Sequence, residues 1–328
     1  MKRRILYIGG TGMISYSCVK RSLEEGWDVT VLNRGKTSSL RPLPERVHTI
    51  IADAFDENSL RAALNGKEFD VVADFLSFTP EHLQIKLNVI EGHTGQYIFI
   101  SSASAYQKPV SKLPITESTP LVNPFWDYSQ NKIACEDLLV KGVRERNFPA
   151  TIVRPSHTYD AAGMPNEAGW TDIVRLRAGK PIVVLGDGTS LWALTYSTDF
   201  AYCFVALQGD RRALGDTFHI TGDEVLPWDA IYTELAHAAG VAHPQLVHIA
   251  SETIAKRIPA WGPGFLGDKS HSVIFDNSKV RSIATGFAQK VPFSIGAQRI
   301  IEFHDAHPEI CHFDAEIDAA LDDLIART

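Results

Sequence analysis

Apolar residues fall along the first half of this chain in two alternating rhythms. Short runs such as Ile5-Leu6-Tyr7-Ile8 are separated by longer stretches in which apolar positions recur every three or four residues. The first rhythm is that of buried parallel strands, the second that of amphipathic helices laid over them. Strands are expected at 5–8, 29–32, 48–51, 71–74, 97–100 and 151–154. Helices are expected at 14–25, with Ile14, Val19 and Leu23 inward and Gly26 as the stop, and at 59–64 behind Asp56 as N-cap. A third, over 126–146, carries Ile133, Ala134, Leu138, Leu139 and Val143 at helical spacing. Strand and helix in alternation predict an α/β, doubly wound parallel sheet.

After about residue 156 the alternation loosens. Prolines and glycines cluster at 163–169, 186–188 and 259–267, with helices expected at 170–178, 199–208 and 228–239. This reads as a smaller C-terminal α/β lobe over the carboxyl edge of the sheet, where open α/β sheets bind ligands. A chain of 328 residues is long enough for one large or two unequal domains. Its formal charge of −7 argues against a broad nucleic-acid-binding face. Cys18, Cys135, Cys203 and Cys311 stand far apart, as buried free thiols of a reducing compartment would. The apolar run at 5–8 breaks at Gly9, so it reads as a strand and not a signal peptide. No run approaches the roughly 18 apolar residues of a membrane span. A cytoplasmic protein is expected.

Gly9-Gly10-Thr11-Gly12-Met13-Ile14-Ser15 follows the first strand directly. Gly9 and Gly12 permit a tight turn and close approach of backbone N–H groups to a pyrophosphate at a helix N-terminus. Ser15 holds the third glycine position, where a small residue suffices for helix–strand packing. Residues 1–156 are thus expected to form a dinucleotide-binding Rossmann-like domain, with a later contribution around 189–221. Residues 157–328 are expected to be mainly the substrate lobe. The second strand ends at Asn33-Arg34: no acid is there for a ribose 2′-hydroxyl, and a cation is there for a 2′-phosphate. NADP is favoured over NAD on this reading, the alternatives being that Arg34 stacks on the adenine or is simply solvated. Asp53, after the third strand, either accepts from an adenine amino group or caps a loop.

Tyr128 and Lys132, four apart, share a face of the long helix. A phenol of ordinary pKa about 10 must lose its proton to act as a base, and a nearby ammonium, with the positive ring of an oxidised nicotinamide, favours the phenolate. Upstream, Ser101-Ser102 closes a strand, where a hydroxyl can hold a substrate oxygen.

With these motifs together, the chain resembles the extended short-chain dehydrogenase/reductase family, in its NAD-dependent epimerase/dehydratase group. The resemblance runs on through Tyr106, Ile115-Thr116-Glu117, Arg154-Pro155 with Tyr159, Gly186-Asp187-Gly188, Tyr196 with Asp199, and Asp276 with Lys279. It implies Ser102, Tyr128 and Lys132 as the catalytic triad. It implies NAD or NADP held by Gly9, Thr11, Gly12, Met13, Ile14, Arg34, Asp53, Ala54, Phe75, Tyr128, Lys132, Pro155 and His157, with Ser156 beside the nicotinamide end. A sugar-like substrate would meet Ser102, Ala103, Ser104, Trp192 and Arg281, and pairing through two helices implies a homodimer.

Two departures narrow the reaction. Ala103-Ser104 stands where sugar-nucleotide dehydratases carry an acidic pair, and Trp192 stands where nucleotide-diphosphate binders carry arginine. Arg281 or Arg299 would have to compensate; Trp192 either stacks on a ligand or fills the lobe interface. An NAD(P)-dependent oxidoreductase or epimerase acting on a secondary hydroxyl is the reading. The alternative is a non-catalytic dinucleotide- or RNA-binding protein, because Asn33-Arg34-Gly35-Lys36 and Val71-Val72-Ala73-Asp74 are similar to the chloroplast stem-loop RNA-binding branch. His304, His307, Cys311 and His312 match no metal-ligand pattern and read as a helix end; no metal is expected. The loop that precedes His271, and the equivalent loop bearing Asn166 and Trp170 on the other side, either form part of the substrate pocket or a lid or are merely structural.

Overall fold

The computed structural model describes residues 2–36 and 40–328. Six strands fall within a residue or two of the expected runs: β1 (Arg4–Ile8), β2 (Asp28–Asn33), β3 (His48–Ile51), β4 (Val71–Asp74), β5 (Tyr97–Ile100) and β6 (Ala150–Pro155). Farther along come β7 (His157–Tyr159), β8 (Ile182–Leu185), β9 (Leu191–Trp192), β10 (Leu194–Tyr196) and β11 (Asp216–Ile220). Strand β11 returns to the main sheet and lies parallel beside β6, Phe218 opposite Val153. The seven-stranded order is β11-β6-β5-β4-β1-β2-β3, all parallel. It changes direction between β1 and β4, the switch point where doubly wound sheets leave a crevice.

Period-two alternation sends neighbouring residues of each strand to opposite faces. Ile5, Tyr7, Val29, Val31, Ala73 and Ile98 face one side, under the helices α1 (Met13–Glu24) and, later in the chain, Ser197–Leu207. Leu6, Ile8, Leu32, Val72, Tyr97 and Phe99 face the other, under α2 (Glu57–Leu64), α3 (Pro80–Ile90) and α4 (Asp127–Arg146). Asp56 caps α2, accepting from Asn58 N–H at 2.9 Å and Ser59 N–H at 3.4 Å.

The long helix faces the core differently from its apolar spacing. Ala134 is exposed, and Ile133, Leu138 and Val143 are only partly covered. The stripe that α4 buries is Ser129, Lys132, Cys135, Glu136, Leu139 and Gly142. It is polar because it forms the wall and foundation of the site described below. A further core cluster draws mainly on residues after 156, where Trp228, Ile231 and Leu235 join Ile173, Val184, Ile300 and Leu321, and it takes in Ala103, Tyr106 and Ile115 from before. Two short pairings, β8 with β13 (Leu246–Ile249, after β12 at Leu226–Pro227) and β9 with β12, brace it. Cys18, Cys135 and Cys203 are buried free thiols, and Cys311 is half-buried. No helix of the described residues is long and apolar enough to cross a membrane.

Candidate active site

The carboxyl ends of β1 to β6 open on one cavity of about 530 Å³. Its floor is the glycine turn. Gly9 has φ +86°, and a Cβ there would lie 2.6 Å from Leu76 Cγ; at Gly10 it would lie 2.6 Å from Val31 Cγ2. These two glycines let the turn press onto the strands. A Cβ at Gly12 would meet only Ser15 Oγ, at 3.2 Å. Ser15 does more than fill the small-residue position, since its Oγ accepts from Gly12 N–H at 2.9 Å and braces the turn. Helix α1 starts here with no acid in its first turn, so its partial positive charge faces the cavity uncompensated.

Of the residues expected to touch a dinucleotide, Gly9, Thr11, Gly12, Ile14, Arg34, Asp53, Ala54, Phe75, Tyr128, Lys132 and Pro155 line this cavity. Asn33, Lys36, Leu76, Phe78 and Ser156 line it too. Asp53 also performs its loop role, Oδ1 accepting from Phe55 N–H at 2.9 Å. Met13 and His157 are not in this wall. Met13 turns its Cε toward Gly163, and His157 looks into a second cavity on the far side of Tyr128.

Lys132 is almost fully buried, and its Nζ donates to the backbone carbonyls of Ser77 at 2.6 Å and Ile100 at 2.7 Å. An ammonium has three hydrogens, so one donor remains for the cavity. The Ser77 turn is held by Asp74, whose Oδ2 accepts from Ser77 Oγ at 2.5 Å and from Tyr97 Oη at 2.6 Å. Burial pushes Lys132 down to about 8, with Asp74, Cys135 and Glu136 resisting. Lys132 Nζ sits 5.7 Å from the Tyr128 ring centroid. The expected depression rests on Lys132 together with an oxidised nicotinamide ring; the protein's own groups on balance act the other way. Burial raises the Tyr128 pKa, a hydrogen bond with Ser102 works against the rise, and the Asp268 carboxylate adds to it.

Ser102 shares a 2.8 Å hydrogen bond with Ser104 Oγ, which also accepts from Ser129 Oγ at 2.7 Å. Next to it, Ser101 Oγ donates to Glu136 Oε1 at 2.5 Å, and Arg154 grips the same carboxylate from Nε at 2.9 Å and Nη2 at 2.6 Å. This buried pair ties the ends of β5 and β6 to the helix that carries Tyr128 and Lys132.

The second cavity, of about 290 Å³, shares Ser102, Tyr128, Pro155, Ser156 and Thr158 with the first. Ala103, Ser104, Trp126, His157, Trp192, Asp268, Lys269 and Phe275 are also in its wall. Trp192 therefore both lines a cavity and packs the lobe core, 5.5 Å from the Trp228 ring. Burial pushes the imidazole of His157 down to about 3, so it is neutral at pH 7. Arg281 lines neither cavity: its guanidinium donates to Asp223 Oδ2 at 2.5 Å, on a helix turn beside β11. Arg299 lies over the Tyr196 ring instead, 5.2 Å from its centroid. Asn166 donates to Asp172, and Trp170 stacks on His304 at 4.9 Å, both within the lobe core. The proline- and glycine-rich stretch at 259–267, expected as a loop before His271, is helical through Lys269, and its end supplies Asp268 and Lys269 to the second cavity. Sequence reasoning missed those two, and no local motif marks them.

The set fits a dinucleotide in the first cavity: an open glycine face, an acid-free helix start, and an ammonium with a donor left over. At the junction of the two cavities stand the Tyr128 phenol and the Ser102 hydroxyl, with the Lys132 ammonium behind them in the first. A model of the NAD dependent epimerase/dehydratase family matches residues 5–220. Among curated proteins, the chloroplast stem-loop binding protein of 41 kDa b from Arabidopsis thaliana is 29% identical, over 75% of this chain and 66% of its own length. The 2'-dehydrokanamycin reductase of Streptomyces kanamyceticus is 26% identical, over 72% of this chain and 67% of its own. The chain thus spans about two thirds of the length of these two relatives. An epimerase structure from Methanothermobacter thermautotrophicus superposes with a TM-score of 0.76 at 15% identity, covering 94% of each chain. Glycine turn, sheet order and family match agree, and the chain belongs to the NAD-dependent epimerase/dehydratase family.

Proposed function

We propose that this protein is a nicotinamide-dinucleotide-dependent oxidoreductase or epimerase acting on a secondary hydroxyl, or the matching ketone, of a sugar-like substrate. One observation carries the proposal: Ser102 and Tyr128 stand in the walls of both cavities, with Lys132 behind them in the first. The glycine turn and the start of α1 would hold the pyrophosphate. Arg34 and Lys36 would meet the adenosine end, where two cations favour a 2′-phosphate and so NADP over NAD. Bound there, a nicotinamide supplies a hydride acceptor or donor.

The chain's residues handle the proton and the oxygen. Ser102 Oγ donates to the substrate oxygen as charge develops on it. Tyr128 Oη returns a proton to that oxygen in reduction and takes it in oxidation. With the phenol pushed up by burial, Tyr128 is protonated at neutral pH, which suits it to donate. Lys132, fixed by two carbonyls, presents its remaining N–H to the cofactor side.

Tyr128→Phe tests this: turnover should fall by at least about 100-fold while dinucleotide still binds. Retained turnover refutes the assignment. The relative named for stem-loop binding raises RNA as a second reading. It predicts an RNA mobility shift that weakens steeply with salt and is indifferent to Tyr128→Phe.

A further inference from the structure

We infer that the second cavity takes a small uncharged ring, a free sugar, polyol or corresponding ketone, and rejects nucleoside diphosphates. The inference rests on the Tyr128 reading above and names the substrate class of that site. Among the described residues, two in the wall are charged, and both are engaged by protein partners. Lys269 Nζ, almost fully buried, is 2.5 Å from Glu167 Oε1, and Asp268 Oδ1 is 3.0 Å from the buried Lys108 Nζ. No arginine lines the cavity among the described residues, and His157 carries no charge at pH 7. A diphosphate would bring its charge into a wall that sums to zero, and unpaired buried charge is strongly disfavoured.

The rest of the wall suits an uncharged ring. Trp126, Trp192 and Phe275 present flat apolar faces, and Ser102, Ser104, Ser156 and Thr158 present hydroxyls. At about 290 Å³ the cavity lies at the small end for ligand sites, large enough for one ring.

The test is calorimetric titration of the dinucleotide-loaded wild-type protein with UDP and with UDP-glucose, alongside turnover assays on uncharged monosaccharides and polyols. Dissociation constants weaker than about 1 mM for both nucleotides support the inference, and a tighter value for either overturns it. Trp192→Arg, if it folds, should tighten UDP by about tenfold or more, because guanidinium–phosphate bonds are charge-assisted. A folded Trp192→Arg protein that gains nothing counts against the charge argument, and the wild-type titration decides alone if the variant is insoluble. UDP-glucose bound tightly and converted in a Tyr128-dependent way would overturn this inference while leaving the oxidoreductase reading intact. Failure to bind any dinucleotide would remove that reading whatever UDP does.

Discussion

Arg154→Met is the sharpest probe of how the site is held together. In the native chain the Arg154 and Glu136 side chains are 6% and 3% exposed, and joined by two hydrogen bonds. The guanidinium also lies 4.8 Å from the Tyr106 ring centroid. Methionine keeps most of the volume but leaves the Glu136 carboxylate with Ser101 as its remaining partner. Breaking one side of a buried pair in this way costs about 3–5 kcal/mol. At roughly 2.1 cal/mol/K of unfolding entropy per residue, that lowers the melting temperature by about 4–7 °C. Glu136→Gln in the same background removes the stranded charge, and should recover at least about 2 kcal/mol of the loss. Chemical denaturation of wild type, single and double variants at pH 7 reads both numbers. A single-variant loss under about 1 kcal/mol, or a double variant no better than the single, would refute the reasoning.

Catalysis should show a pH signature of its own. Because the Tyr128 phenol is raised, alcohol oxidation should climb with pH beyond neutrality, while ketone reduction holds through pH 6–8. Asp268→Asn removes a negative charge that disfavours the phenolate, so the oxidation limb should move to lower pH; a static or alkaline-shifted limb contradicts this. Arg34→Leu should weaken NADP by about 10–150-fold in fluorescence titration while changing NAD little. Equal losses would place Arg34 away from the 2′ position.

The central sheet was legible because its inner strands β1, β4, β5 and β6 are buried almost throughout and read as short continuous apolar runs. Runs such as Val71-Val72-Ala73-Asp74 can hardly be anything else. The glycine turn and the Tyr128–Lys132 pair were legible for a related reason: their chemistry depends on neighbours within one turn of chain. Helix α4 misled the apolar reading. Its buried stripe carries Lys132 and Glu136, which are satisfied by Ser77, Ile100, Arg154 and Ser101 from distant elements. The second cavity was hardest to see. Asp268 and Lys269 reach it from a segment more than a hundred residues past Tyr128, and Arg281, a plausible cation on spacing, is instead held by Asp223. Local pattern carries the elements, whereas long-range satisfaction decides which polar residues can face a ligand.

The position of β11 bears on how the protein is made. Until synthesis has passed Ile220, β6 presents an unpaired row of backbone donors and acceptors, and the apolar gap later filled by Phe218 and Ile220 stays open to water. A nascent chain stalled near residue 156 is therefore a sticky half-sheet and not a finished unit. Truncations there should depend on chaperones or precipitate, while release past β11 should yield a species able to close its own edge.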